Sequence, residues 1–200
     1  DMVVLGELSL RGPQTSNAEP LPGPLEQSLC QIARDLGLWF VPGSIHERDG
    51  DRIYNTAPVI DPSGHVVARY RKMFPFLPYE QGVTAGSEFV VFDVPRIGRF
   101  GVSICYDMWF PETTRTLAWL GAEVIVHPTM TNTIDRDVEL SVARASAAPP
   151  FAGLKTPHVC VRNWSRCSSA TRHAKRLEPG NISETKSVVF GRLDSVWGHG

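Results

Sequence analysis

Three residues far apart in the chain carry groups that together could break a covalent bond: Cys105, Lys72 and Glu7. Cys105 closes the apolar run Gly101-Val102-Ser103-Ile104, and Pro111-Glu112 opens a helix a few residues later. In a strand–loop–helix crossover, ligand sites form at the carboxyl end of the strand. A thiolate near a helix N-terminus is also favoured by the backbone dipole. The competing reading of Cys105 is a small buried core residue. Lys72 stands out by strand phase. Alternation from His65 puts His65, Val67, Arg69 and Arg71 on one, solvent-type face and Val66, Ala68, Tyr70 and Lys72 on the apolar one. An ammonium there must meet a carboxylate or reach past the strand end; if the strand has ended by Arg71, Lys72 is an ordinary surface residue. Glu7 follows the apolar run Met2-Val3-Val4-Leu5 and Gly6. A carboxylate there is costly unless paired, and Lys72 is a suitable partner; otherwise Glu7 is a loop residue. The three supply a nucleophile, a proton acceptor and a fixed positive charge. A thiol needs a base near neutral pH, and a tetrahedral intermediate needs a cation or donors at its oxyanion. The nearest histidine, His127, falls at the far end of the next strand, so a Cys–His pair has no support from sequence proximity.

The elements that must position these groups alternate between strand and helix. Residues 2–5 predict a short buried strand, followed by a Pro/Gly-rich loop from Arg11 to Pro24. Leu25, Leu29, Ile32, Ala33 and Leu36 recur at helical spacing, with Gly37 as a stop and Cys30 in the apolar stripe. Leu38 to Val41 follows as a strand, which favours a parallel crossover. Ile53 to Ile60 and His65 to Lys72 flank Asp61-Pro62-Ser63-Gly64, whose residue types suit a type I turn and so a hairpin. Glu88 to Val94 and Phe100 to Cys105 predict a second strand pair. A helix over 111–120, a strand over 123–127 and a helix over 137–148 complete an α/β pattern. After Pro149-Pro150 the character changes, and residues 165–185 are dense in Ser, Arg, Lys, Thr and Gly. Only 158–161 and 187–190 there look strand-like, and the composition is compatible with disorder.

Composition narrows the function classes. The chain has 200 residues, 42% of them hydrophobic, enough for one domain with a sizeable core, and a formal net charge of -1. Interleaved charges of both signs give no electrostatic argument for a nucleic-acid partner. No apolar run approaches the roughly 20 residues that span a bilayer. Four well-separated cysteines without a CxxC argue against a disulfide scaffold, so the expected compartment is reducing and cytoplasmic.

Three segments carry a more specific signal. Gly6-Glu7-Leu8-Ser9-Leu10, Tyr70-Arg71-Lys72-Met73-Phe74-Pro75 and Gly101-Val102-Ser103-Ile104-Cys105-Tyr106-Asp107-Met108-Trp109-Phe110-Pro111-Glu112 resemble the three catalytic blocks of the nitrilase superfamily of carbon–nitrogen hydrolases, in that family's order and with similar spacing. The resemblance implies an αββα sandwich in which Glu7 is the general base, Lys72 stabilises the oxyanion, and Cys105 forms a thioester that water hydrolyses. It also implies that Glu80, in Pro78-Tyr79-Glu80-Gln81-Gly82, positions substrate and water. The Tyr106 amide N–H becomes a candidate oxyanion donor, and His127, in His127-Pro128-Thr129, a candidate pocket residue. Cys105-Tyr106-Asp107 resembles the amide-cleaving branch rather than the nitrile-cleaving one, so the expected substrate is a small, short-chain or aliphatic amide. No cofactor or metal is implied, and homo-oligomers form in the family through helices of the outer layer.

The resemblance covers residues 1–148, read as a partial hydrolase domain. Residues 149–200 are an unmatched tail. The sandwich is therefore expected to be truncated at its N-terminus and divergent or incomplete after 148, as a fragment or a frame-shifted chain would be. Two other functions stay open on sequence: a catalytically silent remnant that only binds or assembles, and an acyltransferase using the same thioester. A metal site built from His158, Cys160, Cys167 and His173 is a further reading, but their spacings fit no zinc module.

Overall fold

The computed structural model describes residues 1–130, 134–146, 158–160 and 189–191, the last two segments by backbone alone. The composition-based reading of the tail and the proposed His/Cys cluster lie outside the described side chains. Two sheets form. The first contains β1 (Met2–Val4), β2 (Trp39–Val41), β3 (Ile45–Asp49), β4 (Arg52–Ile60) and β5 (Val66–Arg71). β1 and β2 run parallel across the helix α1 (Pro24–Leu36), as the strand–loop–helix–strand order predicts, while β4 pairs antiparallel with β2, β3 and β5. The second sheet contains β6 (Val91–Val94), β7 (Gly98–Val102) and β8 (Val124–Val126), with α2 (Pro111–Trp119) crossing over between β7 and β8. Then come α3 (Arg136–Ser146), β9 (His158–Cys160), parallel to β8, and β10 (Val189–Gly191), antiparallel to β1.

The core sits between the two sheets. Met2, Val4, Val41, Ala57, Val59 and Tyr70 of the first meet Phe92, Val94, Phe100, Val102, Val124 and Val126 of the second. On the outer face of the first sheet Leu29 and Ala33 of α1 pack against Val3, Phe40 and Ile60. On the outer face of the second, Leu117 of α2 packs against Ala122 and Ile125. The order helix, sheet, sheet, helix is the αββα sandwich expected from sequence. β1 of the first sheet and β8 of the second are apolar and buried on both faces because each sheet is covered on both.

Local chemistry explains the boundaries. Pro24 opens α1, and Gly37 ends it at φ 61° with its N–H on the carbonyls of Ala33 and Arg34. In the β4–β5 turn, Asp61 Oδ1 accepts the N–H groups of Ser63 and His65 at 2.8 and 2.9 Å. Four expectations are corrected. β3 was missed, because Ile45-His46-Glu47-Arg48-Asp49 does not read as a strand until Glu47 is seen to be buried under Arg71. The apolar stripe of α1 is narrower than the periodicity suggests, for Ile32 and Leu36 are exposed. A bulge between Val59 and Ile60 pairs Val66 with Ile60 and turns it toward α1, so only Ala68, Tyr70 and Lys72 keep the shared face. The opposite face is not plain solvent surface either: Arg69 forks onto the buried Glu26 of α1, with both N···O distances 2.8 Å.

Candidate active site

Glu7 comes from the loop after β1, and Lys72 and Glu80 both come from the connection between β5 and β6. The Glu7 turn is built by its neighbours. Leu8 sits at φ 50° and donates its N–H to Ser44 Oγ, 3.2 Å away. Gly43, at φ 77°, lies so close that a Cβ would fall 1.8 Å from the Gly6 carbonyl oxygen. Only glycine lets the β2–β3 connection press against the backbone that presents Glu7. Lys72 continues the phase of β5, and its N–H bonds the carbonyl of Asn55 in β4 at 2.8 Å. Cys105 opens a 3-10 turn, Cys105–Trp109, with φ 46°, and its N–H is held by the Pro128 carbonyl at 2.9 Å. A non-glycine residue in this left-handed region costs about 1–2 kcal/mol, which the surrounding bonds must offset.

The side chains converge. Lys72 Nζ donates to Glu7 Oε1 at 2.8 Å and to Glu80 Oε2. Glu7, Lys72 and Asn55 are 2%, 1% and 0% exposed. Asn55 Nδ2 donates to Glu7 Oε1 at 2.9 Å and to Glu80 Oε1 at 2.7 Å. The remaining Glu7 oxygen, Oε2, accepts the Met130 N–H at 3.2 Å, and Glu80 Oε2 accepts the Phe76 N–H at 2.6 Å in addition to Lys72. An ammonium has three donors, so two fixed bonds leave Lys72 one N–H for a ligand. Glu7, Lys72, Glu80 and Cys105 line one cavity of about 250 Å³, with Gln14, Phe76, Tyr79 and Met130 among its other walls.

Electrostatics sorts the protonation states. Burial, the largest influence on Lys72, opposes its charge, but Glu7, Cys105 and Glu80 outweigh it and hold its pKa above that of an ordinary lysine. Burial likewise works against ionised Glu80; the Lys72 ammonium, the Phe76 N–H and Asn55 overcome it and hold that carboxyl below its ordinary value. For Cys105, burial and then the Glu7 charge push the thiol up to about 12, against smaller opposing effects of Lys72, the Thr129 hydroxyl and the Met130 backbone. The resting sulfur is a thiol beside a carboxylate, so its proton must leave as it attacks.

Of the six residues singled out from sequence, Glu7, Lys72, Cys105 and Glu80 meet at this cavity. Tyr106 and His127 are not among its described lining residues. The Tyr106 ring packs on Phe76, centroids 4.7 Å apart, and edge-on to Phe110. His127 is buried at the end of β8 with Nδ1 2.8 Å from Ser103 Oγ. Sequence reasoning missed two polar residues at the centre of the site. Asn55 sits in the apolar strand Ile53 to Ile60, and a lone amide in such a run was the signal. Asp107, wholly buried, accepts from Tyr70 Oη at 2.7 Å and the Ile104 N–H at 2.8 Å with one oxygen, and from the Phe74 N–H at 2.9 Å with the other. It ties the segment around Lys72 to the turn around Cys105. Burial pushes Asp107 up to about 6, against the pull of these donors. Among the described residues, no group of three or more His, Cys, Asp or Glu side chains could hold a metal ion, and no helix is long and apolar enough to cross a membrane.

Comparison with known proteins gives one consistent family. The carbon-nitrogen hydrolase family model matches residues 1–151. Omega-amidase NIT2 of Homo sapiens is 35% identical over 120 residues, covering 56% of this chain and 43% of that protein. The crystal structure of Saccharomyces cerevisiae Nit3, a member of branch 10 of the nitrilase superfamily, superposes with a TM-score of 0.65 at 30% identity, over 72% of this chain and 57% of that one. A glutamate-to-glutamine mutant of the amidase from Nesterenkonia sp. AN1 superposes at 0.54 with 28% identity, over 61% and 48% of the two chains. It carries the acetamide moiety of fluoroacetamide on its active-site cysteine. The chain thus spans about half the length of these relatives.

Proposed function

Since the chain belongs to the carbon-nitrogen hydrolase family of the nitrilase superfamily, we propose that it hydrolyses a short amide through a thioester on Cys105. The observation that carries the reading is the Lys72–Glu7 contact of 2.8 Å on the wall of the cavity that also holds the Cys105 thiol. In this mechanism Glu7 takes the Sγ proton as sulfur attacks the amide carbon. Negative charge develops on the carbonyl oxygen, and the remaining Lys72 N–H, with the backbone N–H of Tyr106, stabilises it. The intermediate collapses with breakage of the C–N bond, and Glu7 passes its proton to the departing nitrogen, which leaves as ammonia or an amine. Water then attacks the thioester, giving up a proton to Glu7, with Glu80 orienting the water. The C–S bond breaks, the carboxylic acid leaves, and the proton returns to sulfur. The cycle consumes one water and needs no cofactor.

A cavity of about 250 Å³ walled by Leu8, Phe76, Tyr79 and Met130 suits an acyl chain of a few carbons. The relative carrying the acetamide moiety on its cysteine supports covalent chemistry at the corresponding sulfur here. The test is ammonia release from acetamide, propionamide and butyramide by the parent chain and Cys105→Ala. Release by the parent alone supports the reading. Equal traces from both refute it.

A further inference from the structure

We propose that Asn55 is a positioning residue of this reaction, its single amide nitrogen clamping the Glu7 and Glu80 carboxylates in fixed orientation around the Lys72 ammonium. The proposal rests on the functional reading above and adds to it a group outside the Glu–Lys–Cys set. Asn55 Nδ2 has two hydrogens. One is directed to Glu7 Oε1 at 2.9 Å and the other to Glu80 Oε1 at 2.7 Å. Lys72 Nζ bridges the same two carboxylates from the other side, so the four groups close a ring of donors and acceptors. Two carboxylates this near one another repel unless cations and donors separate them. Lys72 alone could satisfy either carboxylate by following it. The second bridge removes that freedom and fixes which oxygen of each acid meets the lysine.

Backbone geometry enforces the clamp. Asn55 lies on β4 in register with His46 of β3, and its carbonyl accepts the Lys72 N–H, so amide and ammonium leave one point of the sheet together. It shares its face with Ala57 and Val59, where a wholly buried polar side chain is costly without partners. Within this polar core the titratable groups are Glu7 after β1, His46 on β3, Lys72 at the end of β5, Glu80 in the following loop and Cys105 in the 3-10 turn. His46 has its pKa lowered, chiefly by burial, and its Nδ1 lies 3.3 Å from the Gln14 carbonyl on the cavity wall. Asn55 is the uncharged member, able to donate to both acids without adding charge.

Donors to a carboxylate favour its ionised form, so their loss should move the acid limb of the activity profile upward. A structural role alone would lower the folded fraction without moving that limb. The experiment compares the parent chain with Asn55→Ala and Asn55→Ser from pH 4 to 9 by two readouts. One is kcat/KM on butyramide; the other is the rate of Cys105 alkylation by iodoacetamide, followed by peptide mass. Removing a hydrogen bond to a charged group should lower kcat/KM about 10- to 100-fold and shift the acid limb up by about one pH unit. The alkylation profile should shift alike, and serine, with one donor left, should fall between. A folded alanine variant whose profiles superimpose on the parent's overturns the proposal. Should alanine not fold, a serine variant with the parental profiles overturns it equally. If the parent alkylates with the expected shift between variants but turns over no amide, the hydrolase reading fails while the clamp stands.

Discussion

Replacing Lys72 by methionine should expose how strongly the two acids depend on one cation. The side chain is 1% exposed and Glu7 2%, with 2.8 Å between Nζ and Oε1. At an effective dielectric of about 20, opposite unit charges at that separation attract by about 6 kcal/mol. Desolvating both groups takes back much of this in the intact protein. In the variant the desolvation of Glu7 and Glu80 remains and the attraction does not, so the expected loss is about 3–5 kcal/mol of unfolding free energy at pH 7. The stranded carboxylates can recover part of that by sharing a proton. Their affinity for it rises once the cation is gone, so the folded variant binds a proton at a pH where the unfolded chain does not. The deficit against the parent should therefore shrink as pH falls from 7 toward about 4.5. Urea unfolding of both chains at pH 7, 6 and 5 measures this. A companion carrying Lys72→Met with Glu7→Gln and Glu80→Gln should regain much of the loss at pH 7. A deficit below about 1 kcal/mol at pH 7, or one independent of pH, would refute the reasoning.

Three further outcomes are expected. Asp107 is held protonated up to about 6, above its ordinary 3.8, so the folded state carries an extra proton between about pH 4 and 6. Its contribution to stability falls as pH rises through that window; Asp107→Asn should flatten the slope there in urea midpoints, and an unchanged slope counts against it. Gly43→Ala would put a methyl 1.8 Å from the Gly6 carbonyl oxygen at a φ of 77°. Unfolding free energy should drop by at least about 2 kcal/mol and amide turnover by more than about tenfold as Glu7 shifts; parental melting and turnover together would contradict this. Arg69→Met strands the buried Glu26 far from the cavity, but Arg69 is itself more than a third exposed. The cost should therefore stay near 1–2 kcal/mol, with turnover per folded molecule unchanged, as parallel denaturation and activity assays would report.

Much of this molecule was legible because its informative residues obey short-range rules. Val66 apart, the phase of β5 sorted Tyr70 and Lys72 from Arg69 and Arg71 correctly, since alternation is a backbone property that survives tertiary context. The parallel β1–α1–β2 crossover and the β4–β5 hairpin followed from periodicity and from Asp61-Pro62-Ser63-Gly64. What escaped depends on partners remote in sequence. β3 reads as polar until Arg71 is known to cover Glu47, and Asp49-Gly50 was the available hairpin signal. Asn55 looks like an interruption in a strand until the ends of β1 and β5 bring two carboxylates to it. Asp107 has the same character, since only the fold shows that Tyr70 and the Phe74 N–H converge on it. The bulge at Ile60 leaves no composition cue, and it turned Val66 to the other face.

The proposed thioester on Cys105 is tested most directly by intact-mass measurement of the protein quenched in acid within seconds of mixing with butyramide. The expected result is a species heavier by one butyryl group, about 70 Da if one hydrogen is replaced in the covalent step, mapped to Cys105 and missing from Cys105→Ala. Sustained butyramide hydrolysis by Cys105→Ala, with no adduct on the parent, would contradict it.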